Sequence, residues 1–233
     1  MSAFRGIVFD KDGTLFDFAS TWEVWAQGFL ARLCDGDRAA AAALGASIGF
    51  DYNARRFAPD SVVIAATPGD IVSAMLPQMP GWAPEALLDV INDEAAKAVQ
   101  APAVPLVPFL QGLRGAGYHL GVATNDAEMP ARAHLDQAGV TGLFDFIAGF
   151  DSGHGGKPAP GQLLAFTAHT GLAPEVCVMV GDSAHDLHAG RAAGMACVGV
   201  LTGIAGHDDL APHADVVMPD IGGLPDWLAG QGA

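Results

Sequence analysis

The stretch Gly6-Ile7-Val8-Phe9-Asp10-Lys11-Asp12-Gly13-Thr14 decides the fold. A short apolar run ends abruptly in charge and a glycine, as a fully buried strand does when it runs into a turn. One buried strand cannot stand alone, and the residues that follow it supply no partner. From 17 to about 100 the chain is rich in Ala and Leu and lacks strand-like runs. Helices are expected at 22–33, 38–44, 70–76 and 84–99. In the last of these, Pro84 and Glu85 occupy the first turn, and Leu87, Leu88, Ile91 and Ala95 recur at helical spacing. Only 61–66 reads both ways.

Pro102, Pro105 and Pro108 then mark a stiff linker, after which the texture alternates. Strands are expected at 118–123, 146–149, 176–180, 196–200 and 215–218, and helices at 127–138, 161–170 and 184–193. Gly139, Gly171 and Gly194 follow the helices, where a left-handed residue ends a helix. Such alternation implies a parallel sheet covered on both faces, and the opening strand must join it. The expected architecture is α/β: a Rossmann-like, doubly wound parallel-sheet core made of 1–16 and 103–233, with an inserted all-helical cap at 17–102.

Of the 233 residues, 51% are hydrophobic and 16% charged, which suffices for a sizeable core and excludes intrinsic disorder. The net charge of −15 excludes a sequence-independent nucleic-acid binder. No apolar run approaches the ~18 residues of a membrane span, and the run before Asp10 is too short for a signal-peptide core. Cys34, Cys177 and Cys197 are odd in number and scattered, so neither a disulfide framework nor a C-x-x-C pair can be drawn. The expectation is a cytoplasmic protein acting as a monomer or homodimer, with no nucleic-acid or membrane partner.

Ligands of open parallel sheets bind off the carboxyl ends of the strands. Four such ends carry polar residues here: Asp10 and Asp12; Thr124, Asn125 and Asp126; the loop reaching Lys157; and Asp182 through Asp186. Side chains two apart on an extended segment share a side, so Asp10 and Asp12 can face one ligand. By the same alternation Lys11 is expected to point away and leave the chemistry unaltered. Asp182 and Asp186 share a helical face, although Asp182 could serve simply as a helix N-cap and Asp186 as a first-turn acid. Converging hard oxygen ligands suit Mg²⁺, which keeps waters and accepts phosphate oxygens. No His or Cys cluster has zinc spacing, and His185 and His188 read as a surface pair. Lys157 stands out because the chain has only two other lysines, Lys11 and Lys97.

Taken in order, Asp10-Lys11-Asp12-Gly13-Thr14-Leu15, Thr124-Asn125, Lys157-Pro158 and Gly181-Asp182-Ser183-x-x-Asp186 resemble the four motifs of the haloacid dehalogenase superfamily. The insertion after the first motif resembles its small-cap subclass. Gly190-Arg191-Ala192-Ala193-Gly194-Met195 and Ala214-Asp215-Val216-Val217 look like its phosphoglycolate-phosphatase-like branch. The resemblance implies a Mg²⁺-dependent hydrolase of a small phosphorylated metabolite, working through an aspartyl-phosphate intermediate. Asp10 would be the nucleophile and Asp12 the acid and base. Thr124 with Asn125 would hold the phosphoryl group, and Lys157 would offset its charge. Asp10, the backbone carbonyl of Asp12 and Asp182 would bind the metal, with Asp186 a direct or indirect partner.

Asp12 separates the chain from dehalogenases, which lack that second acid. A lysine early in the cap, as phosphonatases use, is missing, because Lys97 lies at the far end. A β-phosphoglucomutase-like phosphotransferase and a catalytically idle binding protein of the same fold remain the alternatives. The cap carries five cations against eleven acids, and Arg55-Arg56 is its one adjacent cationic pair. If either arginine meets the substrate, its planar fork suits a carboxylate. That reading favours a small phosphorylated carboxylic acid, phosphoglycolate-like.

Overall fold

Strand β1 (Gly6–Phe9) is fully buried, as its four apolar or small residues require. The computed structural model describes residues 4–231. After β1 and a turn of π-helix (Ala19–Glu23) come α1 (Val24–Leu33) and α2 (Arg38–Ser47), then β2 (Phe50–Asp51), β3 (Arg56–Phe57), α3 (Pro68–Met75) and α4 (Pro84–Ala95). The remainder alternates: α5 (Leu106–Gly115), β4 (His119–Ala123), α6 (Glu128–Gln137), β5 (Phe146–Ala148), α7 (Gly161–Thr170), β6 (Cys177–Gly181) and α8 (Ala184–Ala193). It closes with β7 (Ala196–Val200), the short α9 (His207–Leu210), β8 (Val216–Met218) and α10 (Leu224–Gly230).

The large sheet has the order β5-β4-β1-β6-β7-β8, and each neighbouring pair is parallel. Gly6 pairs with His119 on one side and with Cys177 on the other, so β1 occupies the middle. The chain builds outward through β4 and β5, then crosses back over β1 to start β6. That reversal opens a crevice at the carboxyl end of β1. Ile7 and Phe9 pack with Leu106, Leu110 and Leu135 on one face. Val8 packs with Leu163, Phe166 and Ala189 on the other, the period-two alternation of a strand buried on both sides. Helices thus cover both faces, giving the doubly wound α/β core. Among the described residues, no helix is long and apolar enough to cross a membrane.

Local chemistry sets the helix ends. The Asp37 carboxylate accepts from the Ala39 and Ala40 amides at the start of α2, and the Thr67 amide donates to Asp70 at the start of α3. Gly171 and Gly194 end α7 and α8 in the left-handed conformation.

The segment between Phe16 and Pro102 packs around a separate apolar cluster that includes Phe18, Phe29, Leu30, Ile48, Met75 and Leu87. The two crossings into this cap run side by side: the Asp17 amide donates to the Ala101 carbonyl and the Ala103 amide to that of Leu15. The cap is helical apart from one hairpin, β2–β3, where the sequence implied helix and loop alone. Strands of two residues are too short to declare a period, and the hairpin is held by the Phe50 and Phe57 rings, 4.8 Å apart in the cap core.

Phe166 on α7 fills the sheet face above β1 and β4. A Cβ at Gly121 would lie 2.6 Å from its ring, so the glycine is what lets the helix approach. Phe166→Ala is expected to cost about 3–5 kcal/mol by leaving a cavity there. Urea unfolding would show it as a lower midpoint, and an unchanged midpoint would mean that the face closes without the ring.

Candidate active site

The carboxyl edge brings together seven of the nine residues singled out from sequence. Asp10, Asp12, Thr124, Asn125, Lys157, Asp182 and Asp186 line one cavity of ≈ 80 Å³ between core and cap. Lys157, 6% exposed, reaches it from the loop after β5 and donates from Nζ to Asp10 Oδ1 at 2.5 Å and to Asp186 Oδ1 at 2.6 Å. Burial alone would pull its ammonium below the ordinary range, but Asp10 and Asp186 outweigh burial and hold it above. Asn125 fixes the loop: its Oδ1 accepts from the Lys157 amide at 2.7 Å, and its Nδ2 donates to the Lys157 carbonyl at 2.9 Å. The same Nδ2 reaches the Ala65 carbonyl in the cap at 2.7 Å. The amide of Asn125 is therefore engaged in holding Lys157 and the cap.

Asp186 does two jobs. Besides meeting Lys157, its Oδ2 accepts from the Ser183 amide at 3.0 Å and hydroxyl at 2.7 Å, capping α8. Ser183, and not Asp182, is the N-cap residue. That leaves the Asp182 carboxylate free to face the cavity, in a space that two glycines keep open. A Cβ at Gly13 would lie 2.3 Å from Asp182 Oδ2, and one at Gly203 would lie 1.7 Å from it.

Oxygens of Asp10, Asp182 and Asp186 lie within 4.8 Å of one another, all buried. One ammonium cannot neutralise three carboxylates. Burial first, then Asp186 and Asp12, raise Asp10 from 3.8 to about 7 despite Lys157. Burial with Asp186 and Asp10 raises Asp182 well above its ordinary value. Hard oxygen donors carrying surplus negative charge fit a divalent cation such as Mg²⁺. Asp10 and Asp182 would hold it, with Asp186 adjoining.

Lys11 lies off the cavity that Asp10 and Asp12 line, as strand alternation implies, but it is bound to Asp12, and this corrects the expectation that it leaves the chemistry untouched. It is 0% exposed, and its Nζ donates to Asp12 Oδ2 at 2.8 Å and Oδ1 at 2.9 Å, with Asp126 Oδ2 at 3.2 Å. Beyond the strand the chain turns, with the Leu15 and Phe16 amides donating back to the Lys11 carbonyl. Burial alone would lower the Lys11 ammonium, but Asp12 and Asp126 raise it. Nζ also donates to His134 Nδ1 at 2.8 Å, which leaves His134 Nε2 to donate to the Ala95 carbonyl at the end of cap helix α4, 2.7 Å away. Burial and the Lys11 charge lower His134 to about 4, in keeping with this neutral tautomer. Trp22 of the cap donates from Nε1 to Asp12 Oδ1 at 2.8 Å. His134 and Trp22 escaped sequence reasoning because their partners are distant in the chain, and the sequence places Asp126 at the strand edge without a role.

Arg55 and Arg56 are not brought to the cavity. Both are exposed on the hairpin, where Phe57 turns inward and alternation sends Arg56 to solvent. His185 and His188 are both exposed on α8, as expected; His185 stands at the cavity rim and His188 meets His213 at 3.3 Å.

Set beside known proteins, residues 4–194 match the family model for haloacid dehalogenase-like hydrolases. The chain belongs to that family. It is 29% identical over 213 residues to a phosphoglycolate phosphatase of Xylella fastidiosa, covering 88% of this chain and 83% of that one. It is 36% identical over 124 residues to the probable phosphatase IndB of Dickeya dadantii, spanning 52% of this chain and only 54% of that protein. In fold it is similar to the solved structure of a predicted phosphoglycolate phosphatase from Haemophilus somnus, with a TM-score of 0.72 at 20% identity over 97% of this chain and 99% of that one.

Two outcomes are expected. Lys11→Met leaves the partly buried carboxylates of Asp12 and Asp126 without their counter-charge and should cost about 3 kcal/mol in urea unfolding, part of it recovered when Asp126→Asn is added. The second concerns pH. Asp10 keeps its proton in the folded chain up to about 7, well above where the unfolded chain loses it, so stability falls as pH rises across that interval. In EDTA the Tm should drop between about pH 4 and pH 7, and Mg²⁺ or Asp10→Asn should flatten the slope. A level profile in EDTA would contradict the charge balance described.

Proposed function

We propose that the chain is a Mg²⁺-dependent phosphomonoester hydrolase of a small phosphorylated metabolite, working through an aspartyl-phosphate intermediate. The observation that carries this reading is the Asp10 carboxylate, anchored by Lys157 at the end of the central strand with Asp12 in the same cavity. A carboxylate oxygen of Asp10 would attack phosphorus, and the bond to the alcohol oxygen would break as Asp12 gives that oxygen a proton. Asp12, now ionised, would take a proton from the water that attacks the acyl phosphate, releasing inorganic phosphate and restoring Asp10. Lys157 would keep its positive charge beside the transferring group throughout, in a cavity that the cap shields from solvent. Thr124, buried at the end of β4 and part of the cavity lining, would offer its hydroxyl to a phosphoryl oxygen. When bound between Asp10 and Asp182, Mg²⁺ would supply Lewis-acid neutralisation of the phosphoryl oxygens.

Asp10→Asn is expected to lower kcat on p-nitrophenyl phosphate by at least about 10³-fold with an unchanged circular dichroism spectrum. Acid quenching with ³²P-labelled substrate should trap phosphoenzyme in the wild type and none in the variant. Activity should vanish in EDTA and return with Mg²⁺. Turnover by Asp10→Asn near the wild-type rate would remove the covalent mechanism.

A further inference from the structure

Resting on that reading, we propose that the alcohol released by this phosphatase is compact, uncharged and apolar, and is not a carboxylic acid such as glycolate. Every side chain that the cap contributes to the cavity is apolar; the larger are Phe18, Trp22, Trp25, Ile64, Ile71 and Ile91. The two indoles bring no free donor. Trp22 Nε1 is bonded to Asp12 and Trp25 Nε1 to the Glu94 carbonyl, so both present ring surface.

The cap's cations lie elsewhere. Arg32 and Lys97 pair with Glu94, Arg38 reaches Asn53, and Arg55 and Arg56 are exposed on the hairpin. Of the lysines and arginines, only Lys157 lines the cavity, and it already balances Asp10 and Asp186. The polar groups on the core side are five carboxylates, those of Asp10, Asp12, Asp126, Asp182 and Asp186, with Thr124, Asn125, Ser183 and the exposed His185 at the rim. A second anionic group under the cap would be buried without a counter-charge and beside like charges, both costly. An alkyl body of the same shape would meet matching surface and lose nothing polar. The ≈ 80 Å³ of the cavity keeps that body small.

The test uses the full chain with Mg²⁺ and two nearly isosteric esters, isobutyl phosphate and phosphoglycolate, with p-nitrophenyl phosphate reporting basal chemistry. Isobutyl phosphate should exceed phosphoglycolate in kcat/KM by at least about 100-fold. Ile64→Lys, which places an ammonium on the cap lining, should narrow that ratio by about 10-fold or more, while Ile64→Val leaves it unchanged. Phosphoglycolate turned over as well as isobutyl phosphate, or a ratio indifferent to Ile64→Lys, would overturn the inference. So would hydrolysis of p-nitrophenyl phosphate alone. In each case, Asp10-dependent turnover would leave the phosphatase reading intact. No turnover of any of the three esters would overturn both.

Discussion

Three buried carboxylates converge at the end of the central strand, and one ammonium, that of Lys157, stands between them. Left to itself such a cluster would push its members apart or take up protons. It persists because each member is fixed to a rigid element. Asp10 ends a strand hydrogen-bonded on both sides, Asp182 follows its neighbour β6, and Asp186 is locked into the first turn of α8 by Ser183. Asn125 holds the lysine loop by two bonds to backbone. The same amide reaches the cap at Ala65, so the position of the cap and that of the critical ammonium are set together.

A second lysine repeats the arrangement one step along the chain. Lys11 balances Asp12 and Asp126 as Lys157 balances Asp10 and Asp186. The two acids of the Asp-x-Asp motif, two residues apart, thus each have their own buried counter-ion, one from the residue between them and one from the loop after β5. Lys11 is linked through His134 to the end of a cap helix, and Asp12 is held directly by the cap's Trp22. Both acids therefore depend on cap residues as well as on the sheet.

The sheet was legible because a parallel strand buried on both faces writes a continuous apolar run, and because glycine ends the helices where the left-handed conformation demands it. The convergence of Asp10, Lys157 and Asp182 followed from strand ends sharing one edge. Legibility failed where the backbone left regular geometry or where partners were far apart in the chain. Alternation put Lys11 off the cavity, but its ion pairs to Asp12 and Asp126 arise in the turn beyond Phe9, which no period describes. Arg55-Arg56 drew attention as the cap's only cationic pair, but which side of a two-residue strand faces the core depends on Phe50 and Phe57, and no period that short can be read. Nothing local marks Trp22 or His134 as neighbours of Asp12, since only tertiary packing makes them so.

The burial of two lysines also bears on surface chemistry. The chain has three lysine side chains, and those of Lys11 and Lys157 are 0% and 3% exposed. Lys97, at 68%, is the one lysine amine open to solvent, at the end of the cap beside Glu94. An amine-reactive dye or resin would therefore modify a single lysine of the folded chain. Any label found on Lys11 or Lys157 would record that the closed arrangement of sheet and cap had come apart, which makes lysine acylation an intrinsic clock for that opening.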